Sequence, residues 1–123
     1  MNTEKESKTR NEEITNAYFK YITNHIDDVV SAKVSEFEEI NQIASNLAIS
    51  HKHLIAVIQG ETGHHPCYFY DQKIIDKAKE LLVNSHYSVA EIARMFTYDP
   101  SNFSKFFKKL TQLTPGQFRS QHK

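Results

Sequence analysis

The chain repeats itself at an offset of 49 residues, and the two copies align without a gap. Ile40 falls on Val89, Ile43 on Ile92, Ala44 on Ala93 and Leu47 on Phe96. Further on, Leu54 matches Phe103, Ile58 matches Phe107, Pro66 matches Pro115 and Phe69 matches Phe118. A repeat of this period means one supersecondary unit used twice. The fold therefore reduces to the question of what one unit forms.

The second copy, Ser88 to Arg119, is the clearer one. Ser88 followed by Glu91 is a capping box, which predicts a helix start. Val89, Ile92, Ala93 and Phe96 follow at helical spacing and make one apolar face. Pro100 disfavours helix at Asp99 but fits the first turn of a new helix, which Asp99 can cap. Phe103, Phe106, Phe107 and Leu110 form the face that this second helix buries. Two short amphipathic helices around a tight turn, with small Ala93 at the crossing, make a helix-turn-helix. In the first copy Ala44 takes that place, Ala48-Ile49 is the turn and Ser50 the cap.

Once the aromatic face is buried, Ser101, Asn102, Ser104, Lys105, Lys108 and Lys109 remain outside. Polar residues near a helix N-terminus can reach base edges, and lysines together with that N-terminus can hold phosphates. Such a helix pair can also be mere core architecture, and a charge run is usually a solvated face. Two copies in register, with the basic residues on the helix that would enter a groove, favour DNA.

The segment DPSNFSKFFKKLTQLTPGQFR resembles the end of the AraC/XylS-type transcription regulators, and DQKIIDKAKELLVNS is similar to their linker. The resemblance runs from roughly Glu12 to Arg119. It implies an all-α fold of about seven helices, in which a long linker helix joins two homeodomain-like helix-turn-helix units. The expected division is a flexible tail over residues 1–10 and a DNA-binding domain over 11–123. Within that domain the first unit spans 39–63, the linker helix 66–85 and the second unit 88–119. Carried over by position, Lys52, Ile55, Ala56 and Gln59 of the first unit face the groove. Three positions depart from the family's pattern. Thr97 stands where the second turn usually has glycine, in a turn one residue shorter, and Gln112 stands where glycine usually precedes the Thr-Pro pair. Both bear on turn geometry. Ala56 occupies a reading position that is often arginine, which weakens the first unit as a base reader: Ile55 and Ala56 can contact a thymine methyl, or the unit mainly positions the protein on the backbone.

Charge supports the same assignment by its distribution. The net charge is zero, but residues 1–87 carry nine Lys and Arg against thirteen Asp and Glu, whereas residues 88–123 carry six against two. The acidic first part and basic second part suggest where nucleic acid would bind. One cysteine excludes an internal disulfide and fits a reducing compartment. No apolar run reaches the length of a membrane span, and the polar N-terminus is not a signal peptide.

In chain order, Thr9 or Asn11 can cap a first helix, in which Ile14, Tyr18, Tyr21, Ile22, Ile26 and Val29 keep a helical period. This helix is expected to cover the first unit. Gly60 or Gly63 can end the second helix of that unit. Phe69, Tyr70, Ile74, Ala78, Leu81 and Leu82 should line the inner side of the linker helix. Pro115 opens a closing helix, with Phe118 inward and Arg119 outward.

His51, His53, His64, His65 and Cys67 match no standard metal-ligand spacing. Cys67 reads as a partly buried structural cysteine, with thiol reactivity at a helix start as the lesser reading. No phosphate loop or nucleophile triad is present. No metal, cofactor or enzymatic activity is expected.

The reading is thus a sequence-specific regulator that binds double-stranded DNA, each unit placing its second helix in the major groove. Base contacts fall to Ser101, Asn102, Ser104, Lys105, Lys52 and Gln59, and phosphate contacts to His51, Lys108, Lys109 and Arg119. RNA polymerase is a second candidate partner. A stand-alone chain is expected to be a cytoplasmic, nucleoid-associated bacterial monomer without membrane contact. The rival is a protein-interaction module, or an antagonist of a regulator, with weak or no DNA binding. Ile55, Ala56 and the zero net charge motivate it.

Overall fold

The computed structural model of the chain describes residues 3–122, with side chains from Thr9 onward. Seven helices and no strands occur among these residues: α1 Thr3–Val30, α2 Ile40–Asn46, α3 His51–Thr62, α4 Pro66–Asn84, α5 Val89–Met95, α6 Pro100–Thr111 and α7 Pro115–His122. They fall into two compact units, one of residues 1–24 and 38–71, the other of residues 25–37 and 72–123. The all-α double helix-turn-helix is therefore the fold observed. Helices α2 and α3 form the pair in the first unit, and α5 and α6 the pair in the second.

The first helix differs from expectation at both ends. Residues 3–10, expected as part of a flexible tail, are helical, so Thr9 and Asn11 lie inside α1 rather than capping it. Met1 and Asn2 of that tail lie outside the described residues. At its other end α1 does not serve the first unit alone. Its last turns belong to the second, where Ile26 and Val29 are buried and Asp27 pairs with Lys77 at 3.4 Å.

The first unit buries Ile14, Tyr18 and Ile22 of α1 with Ile43, Ala44, Leu54 and Ile58. Each fully buried aliphatic or aromatic side chain contributes about 1.5–3 kcal/mol. Two tyrosine hydroxyls tie distant chain segments together here. Tyr18 donates to the Pro66 carbonyl at 2.7 Å, and Tyr70 donates to the Glu38 carbonyl at 3.0 Å. A buried hydroxyl needs such a partner, which makes these contacts position-specific as well as cohesive.

In the second unit Ile92, Ala93, Phe96, Phe103 and Phe107 are fully buried. Phe96 stacks on Phe103 with ring centroids 5.9 Å apart, and Phe107 meets Phe118 edge-on at 5.6 Å. Ala93, the small residue expected at the crossing, is fully buried. Phe106 and Leu110 are only half-buried, as are Phe69 and Leu81 of α4. Phe106 packs against Tyr98 at 5.5 Å. Ile75 of α4, absent from the expected inner face, is buried.

Candidate nucleic-acid interface

The caps of the two second helices set what each can present. Ser50 accepts from the His53 amide at 3.0 Å, and α3 starts at His51. Asp99 accepts from the amides of Ser101 at 3.1 Å and Asn102 at 3.4 Å, with Pro100 in the first turn of α6. The Asp99 carboxylate thus occupies the amides that were expected to help hold a phosphate at the start of α6. It also places a negative charge there. The exposed cations of α6 are its lysines, Lys105, Lys108 and Lys109.

On α6, Ser101, Asn102, Lys105, Lys108 and Lys109 are exposed and Ser104 is half-buried. At about 100° per residue they span roughly 160° of the helix circumference, opposite Phe103 and Phe107. One surface therefore combines hydroxyl, amide and ammonium groups. Such a surface can donate to base edges from its first turns and to phosphates from the lysines of its last turn.

On α3, Lys52, Ala56 and Gln59 are exposed along the corresponding face, while Ile55 is half-buried. His51 is exposed too, but it lies toward the flank of that face. His53, left out of the expected set, adjoins Ala56 on the outward side. The offset of 49 pairs it with Asn102, and this was the signal that could have identified it. The face offers Lys52, His53 and Gln59 as polar groups, and an apolar centre between them.

Arg119 is not where the sequence put it. Expected to point outward to phosphate, it turns inward. Its Nε donates to the Leu82 carbonyl at 2.9 Å, and its Nη2 is buried without a hydrogen-bond partner among the described residues. The cause is the end of α4, where the last turn leaves carbonyls without helical partners and attracts a cation.

The groups that suggest other chemistry have local roles. His64 stacks on Tyr68 with centroids 4.1 Å apart, and His65 Nδ1 accepts from the Cys67 amide at 3.0 Å. Among the described residues no cluster of three or more His, Cys, Asp or Glu could hold a metal ion. Cys67, expected to be partly buried, is exposed in the first turn of α4. Local packing around its sulfur, and then the nearby Asp71 carboxylate, still push its thiol pKa up. That is the opposite of what an activated nucleophile needs. Among the described residues no helix is long and apolar enough to cross a membrane.

Comparisons with known proteins agree with this geometry. A family model described as a helix-turn-helix domain matches residues 43–121. The chain is 31% identical over 99 residues to the uncharacterized HTH-type transcriptional regulator YfiF of Bacillus subtilis, an alignment covering 80% of this chain and 30% of that protein. It thus spans under a third of that relative's length. Among solved structures, the C-terminal domain of AraT, a response regulator from Geobacillus stearothermophilus, superposes with a TM-score of 0.75 at 27% identity, covering 88% of this chain and 84% of that one. The DNA-binding domain of AdpA, solved in complex with a target DNA, shares the fold with a TM-score of 0.63 at 22% identity, covering 79% and 91%. With the match across residues 43–121 and two helix-turn-helix pairs in register, the chain belongs to the AraC-type helix-turn-helix family of transcription regulators.

Proposed function

We propose that the chain binds double-stranded DNA sequence-specifically, as the DNA-reading part of a transcription regulator, with α3 and α6 each entering the major groove. The observation that carries this reading is the outward side of α6. It gathers Ser101, Asn102, Lys105, Lys108 and Lys109, while Phe103 and Phe107 lock its other side into the core. Ser101, Asn102, Ser104 and Lys105 read bases, and Lys108 and Lys109 hold phosphates. On α3, Lys52, Gln59 and the added His53 contact bases, and His51 contacts phosphate. Arg119 instead holds the end of α4. RNA polymerase is the second partner in this reading, and the site of action is the bacterial cytoplasm, at the nucleoid. No catalytic step is assigned to any residue.

Selection from a random duplex library at near-physiological salt tests the proposal. Two short enriched blocks about ten base pairs apart, one helical turn, mean that both units read DNA within one monomer. One block means that α6 reads and α3 positions. No enrichment, with binding vanishing as salt rises, rejects the proposal in favour of a protein-interaction module.

A further inference from the structure

The two second helices carry opposite chemistry at matched positions. At the offset of 49, Ala56 matches Lys105, Gln59 matches Lys108 and Ile55 matches Ser104. Ala56 is exposed and Ile55 half-buried on the outward side of α3, while Leu54 and Ile58 are fully buried on the other. The centre of the face therefore has a methyl group and a branched aliphatic chain where α6 has an ammonium and a hydroxyl. Neither Ile55 nor Ala56 has a side-chain donor or acceptor.

That difference selects among base pairs through one group. Every pair displays hydrogen-bonding groups in the major groove that an aliphatic side chain cannot partner, so these do not discriminate. A thymine displays a C5-methyl group, which an aliphatic side chain covers favourably. Lys52 and Gln59 flank Ala56 by four and three residues, one helical turn to either side. Hydrogen bonds from these two would hold the aliphatic centre against the groove.

We infer that α3 selects thymine by methyl contact through Ile55 and Ala56, whereas α6 reads through hydrogen bonds. The inference rests on the DNA-reading proposed above and names the base that the first unit takes.

The test uses the intact chain and the duplex recovered from the library. Thymines are replaced one at a time by deoxyuridine, which removes only the methyl group, and binding is followed by fluorescence anisotropy. One or two thymines should each weaken binding about fourfold on replacement. They should lie in the block whose consensus Lys105→Ala leaves unchanged. Ile55→Ala should abolish the deoxyuridine effect at one of them. Ala56→Lys, at an exposed position that folding tolerates, should exchange thymine for guanine there. Indifference to deoxyuridine at every thymine, or an unchanged base preference in Ala56→Lys, overturns the inference and leaves DNA reading standing. Failure of the wild-type chain to enrich any sequence removes both.

Discussion

Ala48 and Thr97, matched at the offset of 49, both have φ of +61°. Each sits just past the end of a short helix in the same hydrogen-bonded stop. The Ala48 amide bonds the Ser45 carbonyl and the Ile49 amide bonds Ala44, while Thr97 bonds Arg94 and Tyr98 bonds Ala93, all at 2.9–3.0 Å. This is the Schellman arrangement, whose left-handed position favours glycine. Thr97 is β-branched, so it carries the larger strain. Thr97→Gly should stabilise the protein by about 1 kcal/mol, the relief exceeding the added unfolded-chain entropy, and raise Tm by about 4 °C. Calorimetry checks it. A lower Tm would mean that the Thr97 side chain contributes more than its backbone costs.

Lys105 and Lys108 lie on one face of α6 but should fail differently. Lys105→Ala should relax sequence preference at one or two base positions, each by about 1–3 kcal/mol. Lys108→Ala should weaken all duplexes alike and flatten the dependence of log K on log salt by about one unit. Titrations on specific and scrambled duplexes at several salt concentrations separate the two. Equal losses on every sequence for both variants would remove the assignment of Lys105 to bases.

Arg119 should behave as a structural cation. Arg119→Gln removes the charge-assisted bond to the Leu82 carbonyl and should cost about 1.5–3 kcal/mol. Urea unfolding measures that loss. The salt slope of DNA binding, compared under conditions where the variant is folded, should equal that of the wild type. A slope lower by one unit would return Arg119 to the phosphate contacts.

Tyr18 makes the first unit sensitive to alkali. Burial, followed by the neighbouring Cys67, Tyr70 and Asp71, pushes its hydroxyl well above the ordinary tyrosine value. The folded state therefore holds its proton at pH values where the unfolded chain has lost it. The associated stability is fully present below a pH of about 10 and declines as pH rises beyond it. Tyr18→Phe should lose about 1 kcal/mol at neutral pH, by removing the hydroxyl bond to the Pro66 carbonyl, yet show a shallower decline above pH 10. Chemical denaturation from pH 8 to 11 follows both effects. Parallel pH profiles would exclude Tyr18 as the alkaline group.

Glu91 adds a smaller effect at the acid end. Its carboxylate accepts from the Ser88 amide at 3.0 Å, and that bond holds its pKa below the usual carboxylate value. A lowered folded-state pKa gives stability that is present above the unfolded value and lost as pH falls through the folded one. Glu91→Gln can still accept the Ser88 bond and should flatten that acid decline. An unchanged acid limb in thermal melts would show that the capping bond does not depend on the charge.

Much of this protein could be read from its residues because the governing interactions are local. Caps at Ser50, Ser88 and Asp99, the breaks at Pro66, Pro100 and Pro115, and the helical spacing of Ile92, Phe96, Phe103 and Phe107 all act within a few residues of chain. The offset of 49 then carried each assignment from one unit to the other. The exposed face of α6 followed from the same spacing, since burying the phenylalanines leaves the lysines outside.

What sequence spacing did not disclose depends on groups far apart in the chain. Helical spacing puts Arg119 outward, but Leu82 lies 37 residues away, and only the folded chain brings that carbonyl within 2.9 Å. Tyr18 found its partner at Pro66, 48 residues on, and the end of α1 joined the second unit through burial that periodicity cannot assign. Thr97 and Gln112 adopt left-handed backbones without glycine, at φ of +61° and +70°. Local preference argued against those conformations. The tertiary structure holds them through packing on either side of each turn, Phe96 on Phe103 around Thr97 and Phe107 on Phe118 around Gln112, against a strain of about 1–2 kcal/mol at one residue.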